Sequence, residues 1–197
     1  MISAIVLAAG HSRRMGTQKL LLPFRGKPMI ATIVDELLGS PVDEVIVVTG
    51  KSHEALAAAL VGRDVRLVVN TNADSEMLQS VRCGLHLVNA ESDAVIVALG
   101  DQPTLTAAVV GELIRAYQST SRDIVVPVHK GKRGHPLLVS TQLQDEIFRC
   151  HDGRGLRGLL DAHAERVLEV EIDDANILKD IDLPEDYDRA ITRDSAN

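Results

Sequence analysis

Aromatic side chains are almost missing from this 197-residue chain: it has no Trp, and Phe24, Tyr117, Phe148 and Tyr187 are the whole set. So sparse a set is too thin for the stacking platforms on which single-stranded nucleic acids lie. Cysteine is as scarce. Cys83 and Cys150 are too few and too far apart for a disulfide framework or a four-ligand zinc site, and they read as free thiols of a cytoplasmic protein. There is no excess of positive charge either, because 21 Lys and Arg face 28 Asp and Glu, a formal net charge of −7. An anionic ligand must therefore be held by a local cluster rather than by the global field, and nucleic acid is a poor candidate partner. No apolar stretch approaches the length of a membrane span, and no charged-then-apolar leader precedes the first apolar run, so no membrane association is expected.

What the chain does have is a regular alternation of apolar, β-branched runs with helical patterns. The segments Ile2–Leu7, Glu44–Val48, Val65–Val69, Ala94–Leu99 and Ile124–Val128 read as strands. Pro28–Leu38, Glu54–Leu60, Leu78–Val88 and Ala107–Tyr117 read as helices. The strands lack strict in–out alternation, as expected where both faces of a parallel sheet are covered. The expected fold is α/β, a three-layer α/β/α sandwich on a mostly parallel, Rossmann-like sheet. The length fits one domain over residues 1–197, enough to bury roughly 70% of the unfolded surface. After Val128 the pattern changes. A polar turn at His129–Gly134 precedes a strand-like Pro136–Val139, a short helix near Thr141–Arg149 and a glycine-rich turn at Asp152–Gly155. A helix over Leu156–His163, a strand over Arg166–Ile172 and a helix over Pro184–Ile191 complete the reading.

Chemistry concentrates just past the ends of strands, where an open parallel sheet binds its ligands. The first strand opens into Leu7-Ala8-Ala9-Gly10-His11-Ser12-Arg13-Arg14-Met15-Gly16-Thr17-Gln18-Lys19. Small residues there expose consecutive backbone N–H groups, and such nests bind anions. Arg13, Arg14 and Lys19 add full charges, a combination suited to a polyphosphate. The spacing is neither Gly-x-x-x-x-Gly-Lys-[Ser/Thr] nor Gly-x-Gly-x-x-Gly, so the P-loop and the dinucleotide fingerprint are both absent. A plain basic loop is the bland alternative. Ala94–Leu99 ends in Gly100-Asp101-Gln102-Pro103, where a carboxylate past a strand end could hold Mg²⁺ against phosphates, unless Asp101 only caps the next helix. Five of the histidines, His11, His53, His86, His151 and His163, form no ligand-spaced set.

The first loop, together with Leu20-Leu21-Leu22-Pro23 and Gly26-Lys27-Pro28, resembles the signature of MobA-like nucleotidyltransferases, and most of all that of the molybdenum cofactor cytidylyltransferases. The resemblance runs from Ile5 to Tyr187 in the family's order. It implies a fold of the nucleotide-diphospho-sugar transferase type and a reaction in which CMP passes from CTP to the phosphate of molybdenum-molybdopterin, with pyrophosphate released. Lys19, Arg14 and Asp101 would be catalytic. Leu7, Ala8, Ala9, Gly10, Arg13, Gly16, Lys19 and Ser80 would bind the nucleotide, Ser80 through a Gln-Ser-Val element where it could equally be an ordinary residue at the start of a helix. Glu76 stands where many relatives carry Gly. The match places the catalytic metal ligand on Asp101. Ile181-Asp182-Leu183-Pro184-Glu185-Asp186 resembles a segment whose first Asp supplies a second carboxylate to the metal, here Asp182, with Asp180 beside it. The same acids also suit the start of a helix. Gly134-His135-Pro136 matches on the acceptor side, giving His135 and Arg133 as acceptor-binding residues, with Lys130 and Lys132 near; a solvated hairpin tip is the alternative. The nucleotide-binding part would span about 1–128 and the acceptor-binding part about 129–192. Mg²⁺ is the implied cofactor, and a molybdoenzyme or its maturation chaperone the implied protein partner. Two rival readings stand beside this one: a nucleotidyltransferase with another small phosphorylated acceptor, and, on the same scaffold, a nicotinamide- or flavin-dependent reductase or a non-catalytic nucleotide-binding accessory protein.

Overall fold

Branched apolar residues make β1 (Ile2–Ala8) a strand that is buried along nearly its whole length. Its side chains divide between two packed faces. Ile2, Ala4, Val6 and Ala8 point to one core cluster and Ile5 to the other, which is the period-two rule of a strand covered on both sides. In this computed structural model, residues 1–10, 15, 18–72 and 76–194 are described. A hairpin of β2 (Pro23–Phe24) and β3 (Lys27–Pro28) leads into α1 (Met29–Leu38), followed by β4 (Glu44–Thr49), α2 (His53–Ala59), β5 (Arg66–Val69) and α3 (Met77–Leu85). Then come β6 (Ala94–Leu99), α4 (Ala107–Gln118), β7 (Ile124–His129), β8 (Lys132–Arg133), β9 (Leu137–Ser140), α5 (Gln144–Arg149), α6 (Gly155–Ala162), β10 (Val167–Glu171) and α7 (Pro184–Asp194).

The main sheet runs β10-β7-β9-β6-β1-β4-β5, with β8 paired to β7. The pairs β1–β4, β1–β6, β4–β5 and β7–β10 are parallel, and β9 lies antiparallel between β6 and β7. One face is covered by α1, α2 and α4 through Ile33, Leu37, Leu56 and Leu113, the other by α3, α5 and α6 through Leu78, Val81, Ile147 and Leu159. Each fully buried aliphatic side chain adds on the order of 1.5–3 kcal/mol, so packing on the sheet, rather than intrinsic propensity, holds these short helices. The layered, mostly parallel α/β architecture is the one expected from the sequence.

Three differences have physical causes. The expected helix over Pro28–Leu38 begins at Met29, because Pro28 is engaged in the β2–β3 hairpin. That hairpin turns through Arg25 and Gly26, both at positive φ, and β7–β8 turns in the same way through Lys130 and Gly131. Both hairpins include strands of two residues, too short to leave a periodic signal. The second one reverses the chain, so β9 returns antiparallel although its composition matches the parallel strands. The chain forks about β1, whose neighbours β4 and β6 lie on opposite sides, and the carboxyl ends of β1 and β6 border the crevice where such sheets bind ligands.

Candidate active site

The turn after β6 reaches this crevice because residue 100 has no side chain. A Cβ on Gly100 would stand 2.9 Å from the Leu7 carbonyl oxygen, and the Gly100 N–H donates to that same oxygen at 3.0 Å. Asp101 is thereby held against the end of β1. Lys19 comes to the same place from the other side of the loop, at the start of a 3-10 turn over Lys19–Leu21 whose Leu20 is buried in the core. Its Nζ donates to Asp101 Oδ2 at 2.8 Å and to Asp182 Oδ1 at 2.8 Å. The Lys19 side chain is only 10% exposed, against 23% for Asp101 and 42% for Asp182. Burial works against the Lys19 charge, but the hydrogen bonds and charges of Asp101 and Asp182 outweigh it and raise its pKa above the usual lysine value.

Asp182 arrives from the far end of the chain. The Ile181 N–H donates to the Asp101 carbonyl oxygen at 2.9 Å, and Ile181 is buried in the core cluster of the α1 face. Asp186 Oδ2, in the first turn of α7, accepts from the backbone N–H groups of Leu183 at 2.9 Å and Asp182 at 3.3 Å, reaching back to the entering chain as the acid of a capping box does. The Leu183 bond above all holds the Asp186 carboxyl below its ordinary range. Tyr187 then donates its hydroxyl to the Pro23 carbonyl at 2.6 Å, fastening α7 to the β2–β3 hairpin. The acidic segment starts a helix, as one of its two readings had it, and it also brings the Asp182 carboxylate onto Lys19.

Ser80 is buried on α3, where its hydroxyl accepts from Asn70 Nδ2 at 3.0 Å. The Asn70 Oδ1 in turn accepts from the Asn72 N–H at 3.0 Å, a local turn that shapes the loop after β5. Sequence reasoning passed over Asn70. The signal was an Asn directly after a strand, which looks like any turn former. It also passed over Arg82, whose guanidinium donates to the carbonyls of Ile147 and Cys150 and to Asp152 at 2.7, 2.8 and 2.7 Å. Glu76 Oε2 accepts from the Gly153 N–H at 2.7 Å. Together Arg82 and Glu76 tie the glycine-rich turn to α3.

In the segment expected to meet the acceptor, Gly134 lies against Ile177, where a Cβ would run into backbone. The His135 N–H donates to the Ile177 carbonyl at 3.0 Å. Burial lowers the His135 pKa against the pull of Asp101 and Asp180, so the imidazole belongs to the same neighbourhood as Lys19. Arg133 is placed differently. It is exposed, and its Nε donates to Glu169 on β10 at 2.7 Å.

Leu7, Ala8, Ala9 and Gly10 lie at the end of β1, with Gly10 exposed. Arg13, Arg14 and Gly16 lie outside the described residues. Among the described residues no group of three or more His, Cys, Asp or Glu could hold a metal. The donor set of Asp101 and Asp182 nevertheless fits Mg²⁺: two hard carboxylate oxygens already converge on one cation, and this ion ordinarily completes its shell with water and phosphate oxygens. No helix among the described residues is long and apolar enough to cross a membrane.

Residues 4–167 match the MobA-like NTP transferase domain. The chain is 30% identical over 190 residues to the molybdenum cofactor cytidylyltransferase of Escherichia coli K12, covering 94% of this chain and 93% of that protein. It is 28% identical over 202 residues to the nicotine blue oxidoreductase of Paenarthrobacter nicotinovorans, covering 96% of each. Among solved structures it resembles the Rv0371c complex with manganese from Mycobacterium tuberculosis H37Rv, with a TM-score of 0.82, 27% identity, and coverage of 97% and 98%. The fold is of the nucleotide-diphospho-sugar transferase type. With a domain match that spans most of its length, this chain belongs to the MobA-like NTP transferase family.

Proposed function

We propose that this protein transfers CMP from CTP to the terminal phosphate of molybdenum-molybdopterin and releases pyrophosphate. The observation that carries the reading is Lys19 held between Asp101 and Asp182 beside the ends of β1 and β6. An acceptor phosphate oxygen attacks the α-phosphorus in line, the new P–O bond forms as the bond to the pyrophosphate oxygen breaks, and no protein nucleophile is required. Catalysis is then positioning and charge stabilisation. Lys19, with Arg14 and Arg13, holds the triphosphate and stabilises the departing pyrophosphate. The backbone of Leu7, Ala8, Ala9, Gly10 and Gly16 cradles the nucleotide, and Ser80, fixed by Asn70, stands on the base side. Asp101 and Asp182 hold Mg²⁺, which supplies neutralising charge at the phosphates. His135 orients the acceptor beside Asp101, and Arg133 draws its anionic end toward β8.

In this reading one domain works in two parts, residues 1–128 for the nucleotide and 129–192 for the acceptor. The protein acts in the cytoplasm and passes its product to a molybdoenzyme or its maturation chaperone. Choice of CTP and of molybdopterin rests on the likeness to the Escherichia coli cytidylyltransferase. The likeness to an oxidoreductase over the same length favours a second reading, a reductase on this scaffold. Another small phosphorylated acceptor is the third.

CTP labelled at the α-phosphorus separates the three. With Mg²⁺ and molybdenum-molybdopterin, the label should move to the acceptor and leave unlabelled pyrophosphate. Label transferred only to other phosphorylated acceptors supports the third reading. No transfer together with acceptor-dependent oxidation of NADH or reduced flavin supports the reductase.

A further inference from the structure

The ammonium of Lys19 sits where two carboxylates from opposite ends of the chain converge, 2.8 Å from an oxygen of each. That trio carries one more negative than positive charge. A divalent cation on the same two oxygens would stand within a few ångströms of the ammonium, in a site largely shielded from solvent on the Lys19 side. Two cations that close repel strongly where solvent screens them poorly. Lys19 and a divalent ion therefore compete for the carboxylates. The approach is open on one flank, since Asp182 is the most exposed of the three.

We infer that Lys19 is a built-in stand-in for the metal, and that it leaves Asp101 and Asp182 for the nucleotide's triphosphate when a divalent cation takes those oxygens. This rests on the proposed metal ligands. It adds that the nucleotide-free site is closed by its own lysine, which keeps two carboxylates paired in the absence of metal. Exchange also balances charge: a divalent cation neutralises both carboxylates and frees one positive charge for an anionic ligand. Metal and triphosphate then assemble the site jointly, because each favours the arrangement the other needs. By reciprocity, Lys19 weakens metal binding by the same factor as metal weakens the Lys19 contacts.

The test is a Mn²⁺ titration of nucleotide-free, full-length protein, read by the electron paramagnetic resonance of free Mn²⁺. Lys19→Met keeps an unbranched side chain one atom shorter and removes the competing charge. It should bind Mn²⁺ about tenfold more tightly than the native protein, within the usual range of coupling between two sites. Adding Asp101→Asn to Lys19→Met should abolish the gain. Unchanged or weaker Mn²⁺ binding in Lys19→Met overturns the exchange; if Asp101→Asn alone still weakens Mn²⁺ binding, the metal ligands of the proposed function stand. Mn²⁺ binding that ignores both substitutions overturns the exchange and the metal assignment together. Should Lys19→Met fail to fold, the native protein carries the test. Acetic anhydride should modify Lys19 slowly without metal and at least several times faster with saturating Mn²⁺, as mass spectrometry of the peptide will show. Equal or slower modification with Mn²⁺ contradicts the exchange.

Discussion

Lys19 is 8% exposed, a degree of burial that a lysine tolerates only with partners, since an uncompensated buried charge is costly. Asp101 and Asp182 each bond its ammonium at 2.8 Å, and removing either takes away one of those charge-assisted bonds. If Asp101 is a metal ligand as proposed, Asp101→Asn keeps the shape and removes the charge. Pyrophosphate release should then fall by about 10²–10³, the common cost of one preorganised electrostatic contact. Turnover close to native with Mg²⁺ would take Asp101 out of the mechanism. Asp101 was legible because it follows Gly100 just past an apolar run, and Lys19 because it ends a loop that carries Gly10, Gly16 and two arginines. Asn70 and Arg82 were not, because their partners, Ser80 in one case and the carbonyls of Ile147 and Cys150 in the other, meet them only in the fold. Another residue works at the level of stability. Arg63 donates twice to Asp35, at 2.6 and 3.1 Å, and Lys27 adds an ion pair. The Arg63 bonds above all hold the Asp35 carboxyl below its ordinary 3.8. A carboxylate with a depressed folded pKa contributes stability that is present at neutral pH and lost as pH falls below about 4. Asp35→Asn should cost about 1–3 kcal/mol at pH 7, as hydrogen bonds to charged groups do, and less at pH 3, where the unfolded carboxyl is protonated. Urea unfolding at both values checks this; an equal loss at the two contradicts it.

Elements of eight residues or more announced themselves through period, and their ends moved by three residues at most. The helix expected at Leu78–Val88 ends at Leu85, and the one at Leu156–His163 spans Gly155–Ala162. Strands of two residues carry no period, so β2, β3 and β8 were invisible. The direction of β9 was invisible too, because burial on both faces makes a parallel and an antiparallel strand alike in composition. What sets it is the hairpin turn at Lys130 and Gly131 and the docking of residues 134–136 on the segment around Ile177. Gly134 is the tightest point of that docking, where an added Cβ meets the Ile177 backbone, which cannot rotate aside. Gly134→Ala should therefore destabilise by about 1–3 kcal/mol, the usual cost of overpacking, and should displace His135. A urea midpoint within a few tenths of a kcal/mol of the native protein would show that the contact relaxes without cost.

At the scale of the whole molecule, the layered α/β class was legible because β4, β5 and β6 are short branched runs, each followed by a helical pattern. The crevice followed from topology: β4 and β6 flank β1, and the motifs after β1 and β6 meet there as Lys19 and Asp101. Asp182 closes the same site from 163 positions away. No spacing rule could give that convergence, although the acidic segment stood out. The acceptor side was less legible. His135 shares the electrostatic surroundings of Asp101 and Asp180, whereas Arg133 is joined to Glu169. If this acidic molecule holds a polyphosphate through one local cluster, as proposed, it should be selective for the nucleotide that completes it. The measurement closest to this claim is the rate of pyrophosphate release by the full-length protein with Mg²⁺ and each of the four ribonucleoside triphosphates, with and without molybdenum-molybdopterin. The account predicts release with CTP far above the other three, and only when the acceptor is present. Release that prefers GTP, or no acceptor-dependent release with any of the four, would contradict it.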